Sequence, residues 1–358
     1  MKKEKRKMLG LIGAIVSGTL LVACIAAWLC GFDFSRLWRP FVAEYETKQY
    51  PIESAFSAIE ISVSSADVSI QLSTDGAARL TTRENEDHRF AVRVENGVLR
   101  ITCETERIWS IGIDTGPRMT LALPAAEYAA LTVRASSGDI GVAAGLTFGE
   151  TLLETSSGDI ESFAAAHGLT AVASSGDLTI ENAGGQISAK ATSGDLSLKN
   201  LTPTSLTAKT TSGDLAAENV QADGAVSCKS TSGDVALSEV TGSSVASATT
   251  SGEQSLRSVR AGSVSAQASS GDIELSDVIA DGKLSAASTS GDISLMRADG
   301  GELALESTSG DVHGSLCSPK YYDARSNSGS ISLPSPDPNG GLCCVRTTSG
   351  DIHLTIQP

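Results

Sequence analysis

Residues 191–198 read Ala-Thr-Ser-Gly-Asp-Leu-Ser-Leu, and residues 210–217 read Thr-Thr-Ser-Gly-Asp-Leu-Ala-Ala. The same core returns around Gly138, Gly158, Gly176, Gly194, Gly213, Gly233, Gly252, Gly271, Gly291, Gly310, Gly329 and Gly350, with steps of 18 to 21 residues. Self-similarity at one period marks a solenoid, in which a repeat buries its apolar face only by stacking on its neighbours. Aligned on the glycine, the preceding residue is always Ser. The following residue is Asp except at Glu253 and Ser330. Two positions after the glycine stand aliphatics such as Ile140, Leu215, Val235 and Ile352, broken only by Gln254. Ile180, Leu198, Leu237 and Leu275 lie four after, Leu169, Leu206, Val226 and Leu303 seven before, and Ala189, Ala208, Ala266 and Ala286 five before. Apolar residues at offsets of two have the period of a strand.

Gly185, Gly224, Gly262, Gly282 and Gly301 fall nine residues before the next repeat glycine and predict a second corner. Glycine takes positive φ without a Cβ clash. The Asp is expected to hold the first corner by an Asx-type turn, with the Ser doing the same more weakly. The expectation is an all-β protein: a β-solenoid, or parallel β-helix, of about twelve coils of 18–21 residues. Stacked at about 4.8 Å per coil it would run roughly 55 to 60 Å. Its inward columns hold Ala, Val, Leu and Ile with few aromatics, which predicts a thin core.

The amino terminus differs. MKKEKRK at residues 1–7 carries five positive charges, and Met8 to Cys30 holds none. Such a stretch is long enough to span a bilayer as a single transmembrane helix with its basic flank in the cytoplasm, and Trp28 and Trp38 suit interfacial positions. Two rival readings are a cleaved signal peptide and lipidation at Cys24 within Leu21-Val22-Ala23-Cys24. All three export the remainder of the chain. Residues 31–55, with Pro40 and Pro51, read as a stalk. Residues 56–133 read as an irregular β-rich cap, with alternation at Ile59, Ile61 and Val63 and a hairpin signal at Asn96-Gly97. Residues 134–358 form the repeat solenoid. That segment carries 12 Lys and Arg against 26 Asp and Glu, a net of −14, which disfavours nucleic acid and anionic lipid as partners.

Three features together carry a resemblance: Ala66-Asp67-Val68-Ser69-Ile70, a strand ending in Leu123-Pro124, and the Ser-Ser-Gly-Asp-Ile run from Ser136. Over residues 56–358 the chain resembles the bacterial putative adhesin family of β-solenoid domains, long labelled a domain of unknown function. The resemblance implies an envelope-exposed solenoid, often on a single-pass anchor in Gram-positive bacteria, with some relatives beside envelope-stress systems. It brings no catalytic residues to transfer.

No residue pattern names a catalytic, cofactor or metal site. The column Asp139, Asp159, Asp177, Asp195, Asp214, Asp234, Asp272, Asp292, Asp311 and Asp351 is foremost a turn-forming feature. Neighbouring carboxylates at coil spacing repel by about 1 kcal/mol even in water, which backbone hydrogen bonds or a weakly held calcium ion could offset. A glycosidase needs one carboxylate pair whose surroundings split its pKa values, and here nearly every coil has the same carboxylate. His88, His167, His313 and His353 lack metal-ligand spacing, and Ser-Gly-Asp is not a nucleophile elbow. The Ser/Thr ladder could present a polar binding face, but the varying coil length opposes a lattice-matched one. Cys24 and Cys30 fall in the anchor, Cys228 and Cys343 on inward columns as small hydrophobes, and a link from Cys317 to Cys343 or Cys344 is geometrically possible.

The sequence therefore reads as a non-enzymatic structural or interaction module, anchored in the cell membrane with its solenoid outside the cytosol. Its expected partners are the membrane through the helix, and cell-wall polymer, a glycan or another envelope protein. The alternatives are an accessory or sensory component of an envelope-stress system and, third, a polysaccharide-active enzyme.

Overall fold

The computed structural model describes residues 45–85, 87–105 and 116–358. Residues 1–44 lie outside them, and with them the basic tail, the anchor at 8–30, Cys24, Cys30, Trp28, Trp38 and Pro40. Among the described residues no helix is long and apolar enough to cross a membrane.

Residues 45–105 and 116–358 fold as a β-solenoid in which the twelve repeat glycines delimit eleven turns of chain. The inward columns stack in parallel register. Leu196, Leu215, Val235, Gln254, Ile273, Ile293 and Val312 succeed one another rung by rung. On the facing sheet the order is Leu206, Val226, Val245, Val264, Leu284 and Leu303. In the rung that begins at Gly213, Leu215, Ala217, Val220, Val226 and Cys228 are all at most 1% exposed. Each full-sized aliphatic buried in this way stabilises the stack by about 1.5–3 kcal/mol relative to exposure. Gln254, which breaks the aliphatic column, is 1% exposed and is matched by Ser247 on the facing sheet, itself 2% exposed. The Ser247 hydroxyl donates to Gln254 Oε1, and Gln254 Nε2 donates to the Gln267 carbonyl at 2.5 Å. The two polar intruders satisfy each other, as buried polar groups must.

The chain bends at more points than the sequence places: the ladder register shifts at the predicted glycines, at Gly185/Gln186, between Ala261 and Val264 and between Ala280 and Lys283, and a further corner precedes them. That further corner lies six residues after seven of the repeat glycines, at Asn182, Asn200, Asn219, Glu239, Ser258, Asp277 and Arg297, all with φ between +52° and +62°. Asn and Asp enter this left-handed region most readily among non-glycine residues, which explains four of the seven. Of the glycines nine before the repeat, Gly185 has φ +65°. Gly224 and Gly262 serve close approach instead: a Cβ there would stand 2.4 Å and 2.6 Å from the Thr204 and Ser243 carbonyl oxygens of the rung below.

The described residues between 56 and 133 include strands that join the parallel stack. Ala58–Val63 pairs in parallel with Val98–Thr105 on one side and Glu127–Ser137 on the other. Asp67–Leu72 lies in the same way between Arg118–Leu123 and Ile140–Val142. The capping is antiparallel. His88–Glu95 covers Val98–Thr105, Arg79–Glu84 covers Arg118–Leu123, and Glu46–Pro51, within the stretch read as a stalk, covers Arg79–Glu84. Asn96 and Gly97 turn the predicted hairpin at φ +52° and +75°. Phe56, Tyr128 and Phe148 stack on successive rungs at centroid spacings of 5.9 and 5.7 Å.

At the other end, stacking order departs from chain order. Leu342–Thr347 packs directly on Ile293–Ser307, and Tyr321–Ser326, earlier in sequence, pairs outside it. Ile352–Ile356 likewise lies between Val312–Leu316 and Ile331–Ser332. The crossover into the outer rung is pinned by buried Lys320, whose Nζ lies 2.5 Å from Asp299 Oδ1 and donates to the Gly300 carbonyl at 2.8 Å. Cys228 and Cys343 are fully buried, and burial pushes both thiols up to about 12. Cys317, Cys343 and Cys344 are thiols, so the possible late-coil disulfide is not formed.

Candidate functional site

The Ser-Gly-Asp corner is the most distinctive constellation, and its geometry is set between rungs rather than within one. Gly213 N–H donates to the Ser232 carbonyl at 3.1 Å and Leu215 N–H to the Asp234 carbonyl at 2.9 Å, so the backbone ladder continues around the bend. Asp234 N–H then donates to Asp214 Oδ1 at 2.9 Å. The Asx-type turn expected of the Asp is thus replaced by a carboxylate that receives the next rung's Asp N–H. The same bond joins Asp159 to Asp139, Asp177 to Asp159, Asp195 to Asp177, Asp214 to Asp195 and Glu253 to Asp234. It resumes from Asp292 to Asp272 and on through Asp311, Asp351 and Ser330, in stacking order. The first member is Asp67, whose Oδ1 takes Asp139 N–H at 3.3 Å. Two donors from Ser330 hold the Asp351 carboxyl below its ordinary range.

A second file was not legible in the repeat. Three residues before the glycine, Thr210, Ser230, Thr249, Ser288, Ser307 and Thr347 donate their hydroxyls to the glycine carbonyl of the rung below at 2.9–3.1 Å. Elsewhere in that column Ala173, Ala191 and Ala268 are buried. The alternation of Ala with Ser and Thr hid a position that needs only a small side chain. The Ser and Thr immediately before the glycine, which the sequence emphasised, are exposed.

These contacts restrict what the corner can do. One oxygen of each carboxylate already receives a backbone donor, whereas calcium requires six to eight oxygen ligands. Among the described residues no three His, Cys, Asp or Glu side chains gather as for a metal. His313 and His353 are register neighbours on an exposed face, His88 contacts Asn85, and His167 lies 3.4 Å from Glu127. Among the described residues the buried carboxylate is Glu84, in the antiparallel strands. Burial alone would raise its pKa, but Lys48 Nζ at 2.6 Å, Phe90 N–H at 3.0 Å and Tyr50 OH at 3.0 Å together hold it below the ordinary range. It ties three antiparallel strands together and faces no cleft that the corner could share.

The sequence matches the model of the Toastrack DUF4097 family over residues 56–260 and again over 238–357. No curated protein matches it. Among solved structures, a putative adhesin from Bacteroides fragilis NCTC 9343 is 14% identical, covering 87% of this chain and 97% of its own at a TM-score of 0.27. A putative adhesin from Parabacteroides distasonis ATCC 8503 is 12% identical with the same coverages and a TM-score of 0.39. A putative lipid binding protein from the same strain is 18% identical, again at 87% and 97%, with a TM-score of 0.32. The assignment rests on the family model, which spans nearly the whole solenoid from 56 to 357: this chain belongs to the Toastrack family.

Proposed function

We propose that the chain is an envelope-anchored, extracytoplasmic interaction module of adhesin-like character, a non-catalytic scaffold that presents flat sheet faces to a polymer or protein partner. One observation carries this reading. The recurring chemistry of the repeat, its glycine, carboxylate and hydroxyl, is engaged from rung to rung, which leaves the variable outward columns to make contacts. The charge-free stretch from Met8 to Cys30 supports a single-pass anchor with the solenoid outside the cytosol.

The test has two parts. Surface biotinylation of intact cells is expected to label the solenoid lysines, and a label found only after lysis would overturn the location. The purified full-length chain is expected to be retained on cell wall, isolated glycans or a host matrix. Failure to bind any of them would remove the interaction reading.

A further inference from the structure

The outward column four residues before the repeat glycine contains one run unlike the rest. Lys190, Lys209 and Lys229 are in direct parallel register on three successive rungs, all exposed. Like charges placed opposite one another on a sheet are destabilising. Elsewhere on the solenoid, charged neighbours along the stack have partners: Arg134 meets Glu154, Lys199 meets Glu218, Lys283 meets Glu302, and Arg346 and Arg325, stacked in this same column, both pair with Asp323. The three stacked lysines form no ion pair with any described carboxylate, and the run is bounded by Val172 on one side and Ala248 on the other. The corner carboxylates of the same rungs, Asp195 and Asp214, each accept the N–H of the next Asp.

The ground around the ladder is polar, uncharged and flat. Ser188, Thr207 and Ser227 form the register column on one side. Exposed Thr192, Thr211 and Thr231 line the other, toward the corner. Neither flank offers an apolar or aromatic side chain.

We infer that this face is a docking surface for a linear anionic glycan-type polymer lying along the stack axis, its phosphate or carboxylate groups on Lys190, Lys209 and Lys229 and its hydroxyls against the Ser and Thr files. Charge complementarity selects the occupant: three unpaired cations span two rung spacings, about 9.6 Å, on a solenoid that is otherwise strongly acidic. A single-stranded nucleic acid would want aromatic stacking platforms, which the face lacks. A lipid surface would want apolar side chains beside the lysines. The inference rests on the envelope reading only for where the polymer is met, and the chemistry is testable on the isolated chain.

The experiment measures binding of the full-length chain to poly(glycerol phosphate) and to polygalacturonate. Neutral dextran, a single-stranded oligonucleotide and phosphatidylglycerol vesicles are run alongside. Binding to at least one of the two polyanions is expected, and which one responds identifies phosphate or carboxylate as the anion. Three neutralised charges give a slope of log affinity against log salt near −2, at roughly 0.7 per charge. Lys190→Gln with Lys209→Gln and Lys229→Gln should weaken binding on the order of tenfold or more, with an unchanged circular dichroism spectrum. Lys199→Gln with Lys283→Gln, which removes charges paired elsewhere, should leave it unchanged. Equal binding by wild type and the triple variant, absence of polyanion binding, or tighter binding to oligonucleotide or vesicles would overturn the inference. Retention on neutral dextran or whole wall that ignores the triple variant would overturn it while leaving the interaction module standing.

Discussion

Replacing Gly233 by Ala tests the architecture at a tight approach between rungs. Gly233 has φ +153°, and a Cβ built on it would stand 2.0 Å from the Gly213 carbonyl oxygen and 2.5 Å from its carbon. Ordinary contact lies near 3.4 Å, so the rungs would have to part by about 1.4 Å, the difference between 3.4 and the 2.0 Å available. Parting them strains three bonds: Asp234 N–H to Asp214 Oδ1, Ser230 hydroxyl to Gly213 C=O, and Gly213 N–H to Ser232 C=O. At about 1 kcal/mol each these amount to roughly 3 kcal/mol. The backbone conformation adds about 1–3 kcal/mol for a residue with a Cβ. The expected loss is therefore about 4–6 kcal/mol, a large part of the 5–15 kcal/mol by which folded domains are usually stable. The comparison is Gly141→Ala, where φ is not left-handed and the nearest atom to a new Cβ is Val68 O at 3.9 Å. Here a gain of about 0.5–1 kcal/mol is expected, because Ala in a strand loses less conformational freedom on folding than Gly. Urea unfolding followed by far-ultraviolet circular dichroism measures both. Hydrogen exchange should localise the Gly233→Ala defect to the rungs between Gly213 and Gly252, since coupling in a solenoid is nearest-neighbour. Loss of under 1 kcal/mol at Gly233, or equal losses at both sites, would show that rung spacing is not what the glycine protects.

Three further outcomes are expected from named contacts. Asp214→Asn keeps an acceptor for Asp234 N–H and removes a charge from the ladder, so its melting temperature at low salt should equal or exceed wild type; Asp214→Ala should lose about 0.5–1 kcal/mol in urea unfolding. Glu84 has a depressed folded pKa, so its stabilising contribution is complete above the unfolded value of about 4.3 and disappears as pH falls through the lower folded value; Glu84→Gln should flatten the acid limb of the stability curve, measured by melting temperature from pH 7 to pH 2. Gln254→Leu alone strands the buried Ser247 hydroxyl and should lose about 1–2 kcal/mol, whereas adding Ser247→Ala should recover most of that loss, as a double-mutant cycle would report.

Much of this was written plainly in the sequence, for physical reasons. A solenoid repeats one environment, so each inward column is sampled many times and Ile, Leu and Val at offsets of two outweigh an exception such as Gln254. What escaped were features that depend on relations between rungs. The Asp carboxylate could have reached its own turn or the next coil, and only the observed Asp214-to-Asp234 bond distinguishes them. The further corner six after the glycine escaped because Glu239 and Arg297 adopt left-handed backbone without the residue types that advertise it, although Asn182, Asn200 and Asn219 recur there. Asp67 opens the carboxylate ladder yet comes after Ala66 rather than glycine, so a reading keyed to glycine started one rung late. The lysine ladder escaped for the same reason as the carboxylate bond: residues 190, 209 and 229 meet only once the rungs are in register.

The ends of the stack raise a different question, because a solenoid exposes its last strands as edges and natural proteins protect such edges. Here the final repeat in sequence is not the final rung. Ile352–Ile356 pairs along its length with Val312–Leu316, and its first two residues, Ile352 and His353, also pair with Ile331–Ser332, so the start of this strand has a partner on both sides. The rung left at the edge, Tyr321–Ser326 with Ile331–Ser332, is an internal loop. One flank is held by the Lys320–Asp299 ion pair and the other by Leu342–Thr347. Opening this edge releases only a closed loop, whose entropy gain is limited by its pinned ends. Amide exchange should therefore run against chain order: Ile352 and His353 should be protected longer than Tyr321 to Ser326, though they come later in sequence. Lys320→Met should release one pin and raise exchange in Tyr321–Ser326 first, leaving Ile352 and His353 slow. If Ile352 and His353 exchange before the outer rung, the inserted order does not protect them, and the edge must be held by something other than topology.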